Sequence, residues 1–129
     1  MWHELIGAID REAICHPPAT TAQLVELEVM LGVSLPDELS DLLREMNGVN
    51  VVYGLGLVWS TDEIAQRNEE MRGYLPSADM LFFGDRGNGD LFGFPITSEG
   101  VQSTVVLWDH EDNSRSYEAA TLRDWLQGK

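Results

Sequence analysis

The hydrophobic rhythm of this chain changes at Gly48, and that change restricts the fold more than any other feature. Before it, apolar residues recur at helical spacing: Trp2, Leu5, Ile6, Ile9 and Ala13 in the first segment, then Leu24, Leu27 and Leu31, then Leu39, Leu42, Leu43 and Met46. Pro17 and Pro18 stop the first helix. Thr20 and Gln23 fit a capping box for the second, and Gly32 fits its C′ position. Pro36 opens the third in the first-turn position, with Asp37 and Glu38 complementing the positive helix start, and Gly48 ends it. After Gly48 the chain reads "VNVVYGLGLVW", short, β-branched and aromatic, as one or two strands broken at Gly54 and Gly56. One further helix follows, capped by Ser60 and Glu63, with Ile64, Met71 and Leu75 facing inward and Pro76 closing it. The remainder is mostly strand: Met80 to Gly84, Leu91 to Ile96, Thr104 to Asp109 and a short one in "SRSYEA". A closing helix turns Leu122, Trp125 and Leu126 inward. Helices first and a strand-rich half joined by short turns predict an α+β fold, a mainly antiparallel sheet with helices packed on it. With no linker, repeat or low-complexity tract, residues 1–129 read as a single domain.

Charge narrows the partner classes. Eight Lys and Arg stand against 22 Asp and Glu, a net −14 at pH 7. Such a field repels nucleic-acid phosphates and anionic membranes and favours a basic partner protein. An acidic surface also serves solubility alone, and composition leaves both readings open. Cys15 is the sole cysteine, which fits a reducing compartment, and beside His16 and two prolines it reads as a buried or helix-end thiol rather than a nucleophile. The first residues lack a basic n-region and a continuous apolar core, and no run approaches a membrane span. The expectation is a soluble, cytoplasmic protein of undetermined oligomeric state.

The stretch "LFFGDRGNGDLFGFPI", Leu81 to Ile96, poses the sharpest chemical question. A phosphate-binding glycine loop leads into a helix whose N-terminal amides hold the anion. Here the glycines lead into "LFGFPI", which is strand-like and contains a proline. No Lys and Ser or Thr follow the last glycine, and Asp85 and Asp90 would repel phosphate. A strand–turn–strand unit is the better reading, with Asn88–Gly89 supplying the positive backbone angles of a tight hairpin and Asp85 and Asp90 bonding turn amides.

Other constellations point away from chemistry. In "WDHEDN", Asp109, His110 and Glu111 suggest metal ligands, but neighbours on a strand point to opposite faces and no His spacing completes a set. A turn with His110 bonded to backbone is expected, with no metal and no cofactor. No G-x-S-x-G elbow appears. Acid pairs such as Asp37–Glu38 and Glu69–Glu70 fall on exposed helix faces, so no catalytic residue is assigned. Trp108 and Trp125 read as core, whereas Trp59 fits core or interface anchor equally. Candidate partner-binding residues are Trp59, then Asp62, Glu63, Glu69 and Glu70 of the middle helix. Asp85, Arg86, Asn88 and Asp90 of the glycine stretch and His110, Glu111 and Asp112 of the following turn complete the set.

Four motifs in order carry a resemblance: "SLPDELSDLLREMNG", "FFGDRGNGDLFGF", "VVLWDHE" and "AATLRDWL". Together they resemble the SMI1/KNR4 family, the SUKH superfamily, from about Leu31 to the C-terminus. The resemblance implies an α+β fold and a non-enzymatic binding role. Many bacterial members are immunity proteins that neutralise toxins, often nucleases or deaminases, and eukaryotic members are regulatory adaptors in cell-wall signalling. For this chain it implies stoichiometric binding of a basic protein toxin, with the adaptor role, or a metal-dependent enzyme using His110, as alternatives.

Overall fold

A computed structural model of the chain describes residues 1–75 and 79–129. The expectation that Pro76 closes the middle helix lies outside those residues.

The N-terminal helices form where the apolar stripes place them. Helix α1, Trp2–Ile9, buries Trp2 and Ile6. It ends sooner than the periodicity suggests because Asp10 turns extended and its carboxylate accepts the Glu12 amide, a local bond that competes with the helix ladder. Ala13 therefore lies beyond the helix. Cys15 sits half-buried on strand β1, Ile14–Cys15, where burial raises its thiol pKa. Helix α2, Thr21–Leu31, starts at the reciprocal Thr20–Gln23 capping box and stops at left-handed Gly32. Helix α3, Asp37–Glu45, has Pro36 at its N-cap, one residue earlier than expected. Its Leu39, Leu42 and Leu43, with Met46, are fully buried.

The strands divide into two antiparallel sheets. Strands β1, β2 (Val49–Val51) and β3 (Leu55–Val58) form the smaller sheet, β2 and β3 being joined by a 3-10 turn at Val52–Gly54. After β3, helix α4 (Thr61–Tyr74) begins at the Ser60–Glu63 capping box. The larger sheet runs β4 (Met80–Asp85), β5 (Leu91–Thr97), β7 (Val105–Trp108), β8 (Arg115–Ala119), with short β6 (Gly100–Val101) on the far end of β5. Helix α5, Leu122–Gln127, closes the chain and packs on β8 and α1. Buried residues from both sheets and all five helices form one hydrophobic core. At its centre Phe83 stacks on Phe94 at 4.8 Å and meets Trp125 edge-on at 5.2 Å. Such pairs add about 0.5–1.5 kcal/mol each beyond burial.

Two devices join the sheets and finish an edge. Gly84 lets β3 lie against β4: a Cβ there would sit 2.3 Å from the Leu57 carbonyl oxygen. The Trp59 amide then donates to the Phe83 carbonyl. One residue earlier, the outward backbone of β4 is answered by a side chain. Asn68, buried on α4, accepts the Phe82 amide and donates to the Phe82 carbonyl, both at 2.8 Å, and also donates to the Ile64 carbonyl. A side-chain amide thus takes the place of a neighbouring strand, leaving no open ladder at that point.

Candidate functional site

The glycine stretch and the turn after β7 meet at one end of the larger sheet. Strands β4 and β5 pair antiparallel up to Asp85 opposite Leu91, so the stretch is a hairpin and leads into a strand. The loop spans Arg86–Asp90 instead of a two-residue Asn-Gly turn. Positive φ falls on Gly87 and Gly89, and Asn88 keeps an ordinary φ. Each polar side chain closes a small ring: Asp85 accepts the Gly87 amide at 2.8 Å, and Asn88 accepts the Asp90 amide at 3.1 Å. The Arg86 amide donates to the Asp90 carbonyl.

Asp90 links this loop to the next. It is 6% exposed, and its carboxylate accepts both the His110 amide at 3.1 Å and the His110 ring Nδ1–H at 2.6 Å. That bond places the proton on Nδ1. It replaces the backbone bond expected for His110. The residue was foreseen in a turn, but the Asp90 carboxylate is twenty positions away and no local pattern signals the pairing. Gly89 makes the approach possible: a Cβ there would lie 3.0 Å from His110 Nδ1. Asp90's own role also differs from that expected: its carboxylate accepts from the distant His110 and, within its own turn, from the Asn88 side-chain amide at 3.3 Å rather than from a backbone amide. The hydrogen bond from His110 lowers the Asp90 pKa, and the same bond raises that of His110. The following turn is self-bonded. Asp109 accepts the Glu111 amide, Asp112 accepts the Ser114 amide, and left-handed Asn113 accepts the Trp108 indole N–H at 2.7 Å.

One metal-like constellation joins Asp109 and His110, already singled out in the sequence as candidate ligands, to Asp90, which was not, and leaves Glu111 out. Asp90, Asp109 and His110 place one ligand atom each within 4.8 Å of one another. The strand-alternation reasoning does not apply to Asp109 and His110, since both lie past the end of β7. A cation held by His110 Nδ1 would have to break the 2.6 Å bond to Asp90, and one held by Asp90 would sit near the Arg86 guanidinium, 3.9 Å from that carboxylate. The arrangement is a satisfied hydrogen-bonded pair rather than an open ligand set.

The remaining candidates separate. Trp59 is 1% exposed, so its side chain belongs to the core and is not on offer to a partner. The Arg67 guanidinium lies over its ring at 4.6 Å and reaches within 4.0 Å of Asp85, tying α4 to the loop. The middle-helix carboxylates do not form one group. Glu63 is spent on the Ser60 amide and Glu70 accepts from Gln66, whereas Asp62 and Glu69 line a groove against α2. Arg86, Asn88, Glu111 and Asp112 remain exposed at the loop end. Sequence reasoning missed Tyr53, at φ 63° on the tip between β2 and β3 and fully exposed. The signal was its place in "VYG", an aromatic at a turn before glycine. The same end lies beside that tip, since a Cβ at Gly87 would meet the Leu55 side chain at 3.3 Å.

The model of the SMI1 / KNR4 family (SUKH-1) matches residues 18–128. The chain belongs to the SMI1/KNR4 family. The match takes in everything from the approach to α2 through α5, including the glycine hairpin and the His110 turn, and leaves out α1 and β1. At the family level it supports a protein-binding, immunity-like domain, and members are generally non-enzymatic. A search of curated proteins finds no match. Among the described residues no helix is long and apolar enough to cross a membrane.

Proposed function

We propose that this SMI1/KNR4 member acts as one domain over residues 1–129 that binds a basic protein toxin of the nuclease or deaminase class. It would neutralise the toxin by stoichiometric occlusion in the cytoplasm, without turnover and without nucleic acid as ligand. The observation that carries this reading is the family match over 18–128 joined to a net charge of −14. A nuclease presents a basic face to phosphates, and an inhibitor of opposite sign gains association rate by steering. The exposed acidic loops at the end of the larger sheet fit that use, as their geometry is held by internal hydrogen bonds and needs little ordering on binding. The metal-enzyme alternative has less support, because Asp90 and His110 already satisfy each other.

The test is protection. Co-expression of this chain with a candidate toxin from the same genome should restore growth, and the purified pair should elute as a one-to-one complex whose association slows with added salt. Growth arrest despite co-expression with every such basic toxin, or catalytic turnover by the chain alone, would reject the proposal.

A further inference from the structure

Helix α2 is apolar on two faces, and only one of them is covered. Leu24, Leu27 and Leu31 enter the core, while Val25, Val29 and Met30 stand outside at 54%, 75% and 56% exposure. A surface helix ordinarily shows water a polar face. Contiguous exposed apolar side chains mark a place where something else sits. Val25 and Val29 stand with Val33 on the side of α2 away from α4, whereas Met30 turns the other way, into a groove of about 220 Å³ between α2 and α4 whose lining joins apolar Leu27, Met30 and Ala65 to acidic Glu26, Asp62 and Glu69.

No Lys or Arg lines the groove, and α2 has none. The two arginines of α4 are engaged elsewhere: Arg67 at Trp59 and Asp85, Arg72 on the Leu31 carbonyl at the end of α2. Around the helix Glu26 falls between Val29 and Met30, so the exposed surface of α2 alternates apolar and acidic side chains and carries no cation. A second copy of the chain is a poor occupant. A two-fold contact would set Glu26, Asp62 and Glu69 against themselves, between molecules of charge −14 each.

We infer that the exposed side of α2, from Val25 and Val29 across to the groove with α4, is the docking surface for a basic amphipathic segment of the partner that lies across the helix, with aliphatic side chains over Val29 and Met30 and Lys or Arg heads on Glu26, Asp62 and Glu69. Long cationic side chains suit such a site, since their stems cover apolar surface while their heads reach the carboxylates. This inference rests on the protein-binding reading and assigns it a face distinct from the loop end.

The test uses the full chain, isotopically labelled for NMR, and a synthetic helical peptide with Leu on one face and Lys on the other. Shifts should concentrate at Val25, Glu26, Val29, Met30, Asp62 and Glu69. The double variant Val29→Ser, Met30→Gln, both at exposed positions and neutral, removes the apolar contacts without adding charge and should weaken binding about tenfold or more. Glu26→Gln with Glu69→Gln should chiefly slow association. Shifts concentrated at residues 85–90 and 109–112, shifts spread evenly, no binding, or unchanged affinity in the double variant would overturn the inference. So would a concentration-dependent dimer, in sedimentation, that the double variant abolishes. The growth-protection assay separates the two claims. Protection that survives the double variant leaves the neutralising role standing and removes this face from it. Failure of the wild-type chain to protect, with peptide binding mapped to this face, does the reverse.

Discussion

Replacing Asn68 by Leu should be among the most damaging single changes outside the apolar core. The substitution keeps the branching and heavy-atom count of the side chain, and leucine is the better helix former, so a loss of stability reports chiefly on the hydrogen bonds. Asn68 makes three, each at 2.8 Å, and two of them satisfy the amide and the carbonyl of Phe82. Leucine leaves both backbone groups buried behind α4 with no partner. An orphaned buried polar group costs about 1–3 kcal/mol, so the pair places the loss at roughly 2–6 kcal/mol. The Ile64 carbonyl keeps its own helical partner and adds little. For a domain of this size each kcal/mol corresponds to about 4 °C in melting temperature, giving a fall of about 8–24 °C. Thermal denaturation followed by circular dichroism measures it. Hydrogen exchange should show the Phe82 amide losing protection first. A loss below about 1 kcal/mol, with the Phe82 amide still protected, would mean that the β4 edge does not depend on this side chain and that the account of the sheet edge is wrong.

Three further outcomes are expected. Gly84→Ala should lower stability by about 3 kcal/mol or more in the same melting assay, beyond ordinary overpacking, because its Cβ would meet the Leu57 carbonyl at 2.3 Å and only separation of β3 from β4 relieves it. Asp90→Asn should reveal the pH window of the Asp90–His110 pair when melting curves are compared with wild type across pH. His110 is raised above its usual 6.5, so its contribution is complete below that value and lost as pH rises through the folded pKa. Asp90 is lowered below its usual 3.8, so its contribution is complete above that value and lost as pH falls through the folded pKa. The wild-type advantage should therefore peak between these limits and shrink on either side. Glu45→Gln should destabilise more at neutral than at acid pH. Partial burial pushes its carboxyl up, but hydrogen bonds from the His3 amide and imidazole outweigh that and hold it at about 2, so its contribution is present above about 4.5 and lost as pH falls towards 2. Melting temperatures at the two pH values check it.

What could be read beforehand was what local chemistry decides. The Thr20–Gln23 and Ser60–Glu63 boxes, the left-handed stop at Gly32 and the inner face of α3 each depend on residues within one or two turns of one another. Those interactions are written in the spacing. The features that escaped are long-range. Asn68 reaches Phe82 across fourteen positions, and Asp90 reaches His110 across twenty. Nothing in the neighbourhood of either residue distinguishes it from a solvated one. The approach of the two sheets depends on the Gly84 contact with Leu57, and the guanidinium over Trp59 comes from α4. Helix α1 stops early because Asp10 finds a closer acceptor role than the helix offers, a competition that hydrophobic period does not report. The acidic candidates of α4 were placed on an exposed helix correctly. Their separation into a capping pair and a groove wall appears only when α2 is set beside them.

The binding reading stands or falls on one titration. The full chain should be mixed with the purified basic toxin whose arrest of growth it relieves, and association followed by calorimetry and stopped flow at several salt concentrations. A one-to-one complex with complete loss of toxin activity at equivalence, and an association rate that falls steeply with ionic strength, is the predicted result. A complex that leaves the toxin active, or an association rate indifferent to salt, would contradict neutralisation by an acidic surface.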